Sequence, residues 1–252
     1  MLSGAIAGLI GCLLLEAAST ARTDLPEAEF HMARMIYRTR GGAGSHGFIQ
    51  PWWAIDYPYA EEHFLPALRR MTGMSVAEDS RHLELMDDRI FDYPFMLMQQ
   101  PGRGYWNPTE QEAARLREWC LRGGFLLVDD LHGDYDWAIF ENAIRRVFPD
   151  RPIVEIPEND SMMHAFFDID RRTQIPGKRH LRYYGGEIRV QMEGEPHWRG
   201  IYDDHNDLMV AINFNMDMGD AWEHADDPDY PGPMTAFAYQ LGVNYVIYAM
   251  TH

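Results

Sequence analysis

The chain is 252 residues long, 46 % hydrophobic and 13 % aromatic, which is enough for one substantial buried core. Its 22 Lys and Arg stand against 39 Asp and Glu, a formal net charge of −17 that repels phosphate backbones and so argues against nucleic acid as a partner. Lys178 is the only lysine, which leaves Schiff-base chemistry or a phosphate-cradling lysine a single position to act from.

Residues 2–15 carry no charge, and an apolar core of this length suits a signal h-region better than a bilayer span of about 20 residues. Residues 1–21 are expected to be a signal peptide or N-terminal membrane anchor, with Ser19 and Ala21 as small residues before a cleavage site. Leu9-Ile10-Gly11-Cys12 offers lipidation at Cys12 as an alternative fate. Removal of this segment would leave Cys120 as the one thiol, and residues 22–252 are expected to form a single domain.

Residues 30–37 read as a strand running into a glycine-rich loop. Tyr57-Pro58 then opens a helix whose Ala60, Phe64, Leu68 and Met71 share one stripe. Residues 93–98 are continuously apolar, as in a strand covered on both faces. Asn107 is expected to cap the next helix, with Pro108 in its first turn and Gly123-Gly124 as its stop. A second apolar run, residues 125–128, ends at Asp129-Asp130. Trp137, Phe140, Ile144 and Val147 mark another amphipathic helix, and residues 152–156, 188–192 and 208–212 are strand candidates. A closing helix carries Met234, Phe237, Leu241, Tyr245 and Tyr248, with Gly242 as an expected interruption. Strands alternating with helices predict an α/β fold: a flavodoxin-like, mostly parallel sheet with helices on both faces. Residues 203–230 hold nine carboxylates, and no Lys or Arg follows Arg199, so this end is expected to be an acidic surface.

Residues 30–252 resemble a bacterial domain-of-unknown-function family, number 4159. The resemblance is carried by Trp53 with Asp56-Tyr57-Pro58, Tyr93-Pro94-Phe95, Leu116-Arg117 leading to Gly123-Gly124-Phe125-Leu126 and Asp129-Asp130, Val147-Phe148-Pro149, and Gly242-Val243-Asn244 with Tyr248-Ala249. It implies a fold similar to class I glutamine amidotransferases and no established activity. That superfamily places a nucleophilic cysteine, near a histidine base, on a tight strand-to-helix turn. Here the corresponding turn reads Asp129-Asp130-Leu131-His132, Cys120 falls inside the preceding helix, and no Gly-x-Cys-x-Gly or Gly-x-Ser-x-Gly elbow exists.

Ligands of open α/β sheets bind beyond the carboxyl ends of the strands, which directs attention to four loops. They carry Arg38 and Arg40; Gln99 to Arg103; Asp129, Asp130 and His132; and Asn213, Asn215 and Asp217. Asp130 and His132 are the catalytic candidates, as an acid–imidazole pair or cation ligands, against a reading in which they cap a turn and make structural hydrogen bonds. Arg38, Gln99, Asp129, Asn213 and Asn215 are candidate ligand contacts. Gly42-Ala43-Gly44-Ser45-His46-Gly47 matches G-x-G-x-x-G, but no helix opens after it, so a surface loop is expected there. His164, His205 and His224 have acidic neighbours, Asp203, Asp204 and Glu223, without a ligand spacing, so no metal site is assigned and no cofactor is expected. Trp52 and Trp53 are candidate anchors for a partner.

The leading expectation is a non-catalytic accessory protein, exported to the periplasm, that binds a protein partner of a membrane-associated complex. A metal-assisted hydrolase or carbohydrate-active enzyme using the strand-end cleft is the alternative.

Overall fold

Two apolar strands at the centre of the chain dictate its layering. The computed structural model describes residues 28–45, 48–185 and 187–252; the expected signal or anchor segment 1–21, with Cys12, lies outside them, as do His46 and Gly47. In β5 (Phe95–Gln99) and β6 (Phe125–Leu131) every residue is buried, and side chains alternate between two cores. Phe95, Leu97, Phe125 and Leu127 face one core; Met96, Met98, Leu126 and Val128 face the other.

Around this pair lie β1 (Ala33–Ile36), β4 (Arg81–Glu84) and β11 (Leu208–Phe214), all parallel to it. The sheet order is β4-β1-β5-β6-β11, followed by the antiparallel β10 (His197–Tyr202) and a two-residue edge strand, β7 (Val154–Glu155). Counted along the chain, the five parallel strands stand second, first, third, fourth, fifth, which is the flavodoxin-like order. The order reverses between β1 and β5, so the loops leaving these strands part and open a crevice. Two hairpins stand outside the sheet: β2 (Gly42–Ser45) with β3 (Phe48–Pro51), and β8 (Leu181–Tyr184) with β9 (Glu187–Val190).

One face of the sheet is covered by α1 (Tyr59–Thr72), α4 (Met218–Glu223) and α5 (Gly232–Thr251), the other by α2 (Glu110–Leu121) and α3 (Gly133–Val147). Among the described residues no helix is long and apolar enough to cross a membrane.

Several local expectations are corrected. Thr109, not Asn107, caps α2: its hydroxyl accepts from the Glu112 amide while Glu112 accepts from the Thr109 amide, and this capping box outcompetes the asparagine. Asn107 instead accepts from Arg146. Gly242 does not interrupt α5; a Cβ there would stand 2.7 Å from Trp222 and 2.8 Å from Phe64, so the glycine admits two stacked rings. Met71 is 41 % exposed, because the buried stripe of α1 ends at Leu68. Residues 188–192 contribute to the exposed β8–β9 hairpin, not the main sheet. β4, an edge strand opening on Arg81-His82, and β10, opening on His197 and carrying Arg199, lack the apolar run that marks a strand in the sequence.

A buried ion pair ties the first strand to the first helix. Arg34 of β1, fully buried, meets both carboxylate oxygens of Glu61 of α1 at 2.8 and 3.0 Å and donates to the Ile55 carbonyl at 2.7 Å. Removing one partner strands the other charge, a loss of about 3–5 kcal/mol, whereas replacing both with apolar groups is far less damaging. Arg34→Met and Glu61→Gln are therefore expected each to lower the urea-unfolding stability by that order, and the double variant with Met at both positions to recover most of it. Additive losses in the double variant would show that the pair is not coupled.

Candidate functional site

The site begins with a break in strand pairing. On β6, Val128 pairs with Ile212 and Leu131 with Phe214, so Asp129 and Asp130 together oppose the single residue Asn213. This bulge needs a left-handed residue, and Asp130 takes it with φ +55°. Its effect is to send the two adjacent carboxylates to different tasks.

Asp129 turns inward. It accepts from the amides of Met218 and Gly219, at 2.8 and 3.0 Å, and from Asn213 Nδ2 at 3.0 Å, while Tyr245 donates to the Asn213 carbonyl at 2.8 Å. Asp129 and Asn213 are completely buried and serve to hold α4 over the strand ends. Asn215 is likewise occupied: it accepts from the Gly133 amide at 2.8 Å and donates to the Glu195 carbonyl at 2.9 Å. It thereby starts α3 and pins the segment that carries Glu193. Gln99 donates to Asp56 at 2.7 Å and is fully buried. These four candidates are structural supports of the site.

Asp130 and His132 come together as expected, with Oδ1 and Nε2 2.6 Å apart and both side chains almost wholly buried. Two further segments, carrying His180 and Glu193 and absent from the candidate set, complete the surroundings. His180 Nε2 lies 3.1 Å from Glu193 Oε2, and that oxygen lies 3.6 Å from His132 Nδ1. The Nδ1 atoms of His132 and His180 are buried without a hydrogen-bond partner. On the other side of Asp130 a cavity of about 540 Å³ is lined by Trp52, Asp56, Gln100, Asp130, Asp217 and Asp220, among others. Four sets of three ligating groups, each with candidate donor atoms within 4.8 Å of one another, occur here: Asp130–His132–Asp217, Asp56–Asp217–Asp220 and Asp220–Glu223–His224 include residues that line the cavity, whereas none of His132–His180–Glu193 does. Gly177 makes the crowding possible, since a Cβ there would lie 2.5 Å from Asp217 and 2.9 Å from Asp220.

Backbone strain gathers at the same place. Asp56, Gln100, Asp130 and Asn215 all have positive φ, between 45° and 66°, a region that costs a non-glycine residue about 1–3 kcal/mol and that persists where surrounding structure enforces it. The electrostatics are equally loaded. Burial, then repulsion from Asp130 and Glu223, pushes the Asp220 carboxyl up to about 7. Burial and neighbouring carboxylates push Asp56 and Asp217 well above the usual range, and burial takes Asp129 to about 6. Asp130 is buried too, but the hydrogen bond and charge of His132 outweigh that and hold it below the ordinary value. Burial and the facing His132 lower His180, favouring the neutral imidazole that binds metals.

The remaining candidates lie elsewhere. Arg38 lines a separate groove beside α3. Trp52 is half-buried at the rim of the cleft, with the Arg103 guanidinium 5.8 Å from its ring, and Trp53 packs against His82. Of the three weaker histidines, His224 lines the cleft, while His164 pairs with Asp168 and His205 sits in an exposed turn. Burial raises the Cys120 thiol far from the thiolate range within α2.

A family model described as a domain of unknown function, DUF4159, matches residues 31–250, and no curated protein matches the chain.

The raised carboxyls make stability pH-dependent with a definite sign. In the folded chain Asp129 and Asp220 keep protons that unfolded carboxyls, with pKa about 3.9, have lost. Stability from these groups is fully present below about pH 4 and is lost as pH rises through 6 to 7. In urea unfolding with a chelator present, Asp220→Asn is expected to flatten the fall between pH 5 and 8 by roughly 2–4 kcal/mol. An unchanged pH slope in this variant would mean that Asp220 is ionised in the folded state at pH 5.

Proposed function

This chain belongs to the DUF4159 family, and from the geometry of its strand-end cleft we propose that it is a metal-assisted hydrolase. The observation that carries the reading is the meeting of His132, His180 and Glu193, drawn from three separate segments, with His132 Nδ1 buried and without a hydrogen-bond partner 3.6 Å from Glu193 and His180 turned to the same carboxylate through Nε2. A buried polar atom without a partner is costly, and a cation removes that cost. Two histidines and a glutamate form a known catalytic zinc set, with a fourth position left for water. Ligands on a tetrahedral zinc with bonds of about 2.0–2.1 Å stand roughly 3.3 Å apart, and Glu193 lies 3.1 and 3.6 Å from the two imidazoles. Asp130 supplies the carboxylate that fixes the far nitrogen of a ligating histidine.

A zinc ion held there would lower the pKa of its bound water to about 7 and make it a nucleophile at neutral pH. The protein's own groups would do the rest. Asp130 holds the His132 ring, Asp220 is a carboxyl poised near 7 to take or return a proton, and Gln100 and Arg179 present polar contacts at the cavity wall. We also read the sheet as class I glutamine amidotransferase-like. In support, the carboxyl end of β6, next to where that superfamily carries its cysteine, holds Asp130 in a left-handed conformation beside His132.

A second reading, the accessory protein that binds a partner at the periplasmic side of a membrane, is favoured by apolar side chains left in solvent. Tyr183, Tyr184 and Ile188 on the β8–β9 hairpin are 41–55 % exposed, and Ile49 is 87 % exposed. Its export component rests on residues 1–21.

Metal titration separates the two readings. Chelator-stripped protein is expected to bind one Zn²⁺ at micromolar or tighter affinity. His132→Ala and Glu193→Gln should each weaken binding at least 100-fold, and Asp130→Asn about 10–100-fold through the outer shell. The zinc-loaded chain should then hydrolyse a member of an ester, amide and phosphoester panel. Absence of stoichiometric zinc, or equal affinity in the His132 and Glu193 variants, rejects the hydrolase and leaves the accessory protein, which should co-purify with a partner from gently solubilised membranes.

A further inference from the structure

A groove of about 710 Å³ lies on the α3 side of the strand ends, separated from the acidic cleft by the turn that follows Gln100. That turn faces both ways: Arg103 lines the cleft and Tyr105 lines the groove. The groove's chemistry is the reverse of the cleft's. Arg38 and Arg40, from the loop after β1, enter its wall, and no carboxylate is among its lining residues, in a chain whose net charge is −17. Both arginines are exposed, and neither has a carboxylate partner among the described residues. The Arg40 guanidinium lies 5.6 Å from the centre of the Tyr105 ring, a stacking that holds the side chain extended at the groove.

Opposite the arginines stand two tyrosines that a folded chain has little reason to leave in water. Tyr105 is 37 % and Tyr135 67 % exposed, and their hydroxyls meet at 2.9 Å with rings at 75°. The bond joins the two rings edge to face on the same wall of the groove. Asn107 and Asn142 add amide groups along the same wall. Arginine forks match carboxylate or phosphate oxygens in pairs, exposed tyrosine faces stack on the C–H faces of pyranose rings, and side-chain amides bond hydroxyls.

We infer that this groove binds an anionic sugar, a pyranose chain bearing carboxylates, with Arg38 and Arg40 on the acid groups and Tyr105 and Tyr135 on the rings. Its volume lies within the roughly 300–1,000 Å³ of ligand pockets. The assignment is independent of the metal reading, because every group it uses lies outside the His132–His180–Glu193 cluster.

The test is calorimetric titration of the full chain, with a chelator present so that metal loading plays no part. The probes are a tetragalacturonate, the neutral tetrasaccharide of the same linkage reduced at C6, inorganic phosphate and a mononucleotide. Tetragalacturonate is expected to bind, with affinity falling as salt rises. Arg38→Gln with Arg40→Gln should weaken it at least 10-fold, and Tyr135→Ala at least 5-fold; these side chains are exposed, and circular dichroism would verify that the variants fold. The neutral sugar should bind at least 10-fold more weakly. Equal binding of the neutral sugar, tighter binding of phosphate alone or of the nucleotide, unchanged affinity in the arginine variant, or no binding of tetragalacturonate would each overturn the assignment.

Discussion

The Asp129 carboxylate is the contact on which the arrangement of the strand ends depends. It sits at the first position of the bulge in β6 and accepts three hydrogen bonds, two of them from the opening amides of α4. Those bonds fix where α4 starts, and hence where Asp217 and Asp220 stand. The bulge that turns Asp129 inward also frees Asp130 to pair with His132. An unbulged strand would send Leu131 to the α1–α5 core by simple alternation; here it packs with the α2–α3 core, and the chain proceeds directly into α3. One extra residue in one strand thus sends two neighbouring carboxylates to different partners, Asp129 to the opening amides of α4 and Asp130 to His132.

Such a wall of acids is held in place against its own repulsion. Asp56, Asp217 and Asp220 cannot all ionise within a few ångströms of one another in a buried setting, which is why their protons are retained to unusually high pH. Structure elsewhere opposes the strain. Arg34, buried on β1, clamps Glu61 and the Ile55 carbonyl, and so anchors the segment that delivers Asp56 in its left-handed conformation. Because these protons are retained through burial and mutual repulsion, the stability of this region depends on pH.

The two concavities at the strand ends differ in sign because different loops build them. The cleft takes carboxylates from the loops after β3, β6 and β11, and the groove takes arginines from the loop after β1 and tyrosines from the flanks of α2 and α3. Both lie at the carboxyl ends of the strands, where the reversal of strand order near β1 and β5 separates the loops. In this member of the DUF4159 family the strained residue near the carboxyl end of β6 is a carboxylate, Asp130.

What the sequence by itself determined is the framework: the apolar runs of β5, β6 and β11, the stripe of α3, the glycine stop before β6 and the flavodoxin-like class all follow from local periodicity. It also singled out Asp130 and His132, polar residues ending a buried strand, and the structure places their side chains 2.6 Å apart. Tertiary structure alone decided which groups Asp129, Asn213, Asn215 and Gln99 hold, since each has a hydrogen-bond partner 43 to 90 residues away. It likewise brought His180 and Glu193 to His132. Neither has a spacing that marks it as a ligand, and a site assembled across crossovers leaves no period in the chain: hydrophobic patterning reports which face of an element is buried, not which loops meet at its end.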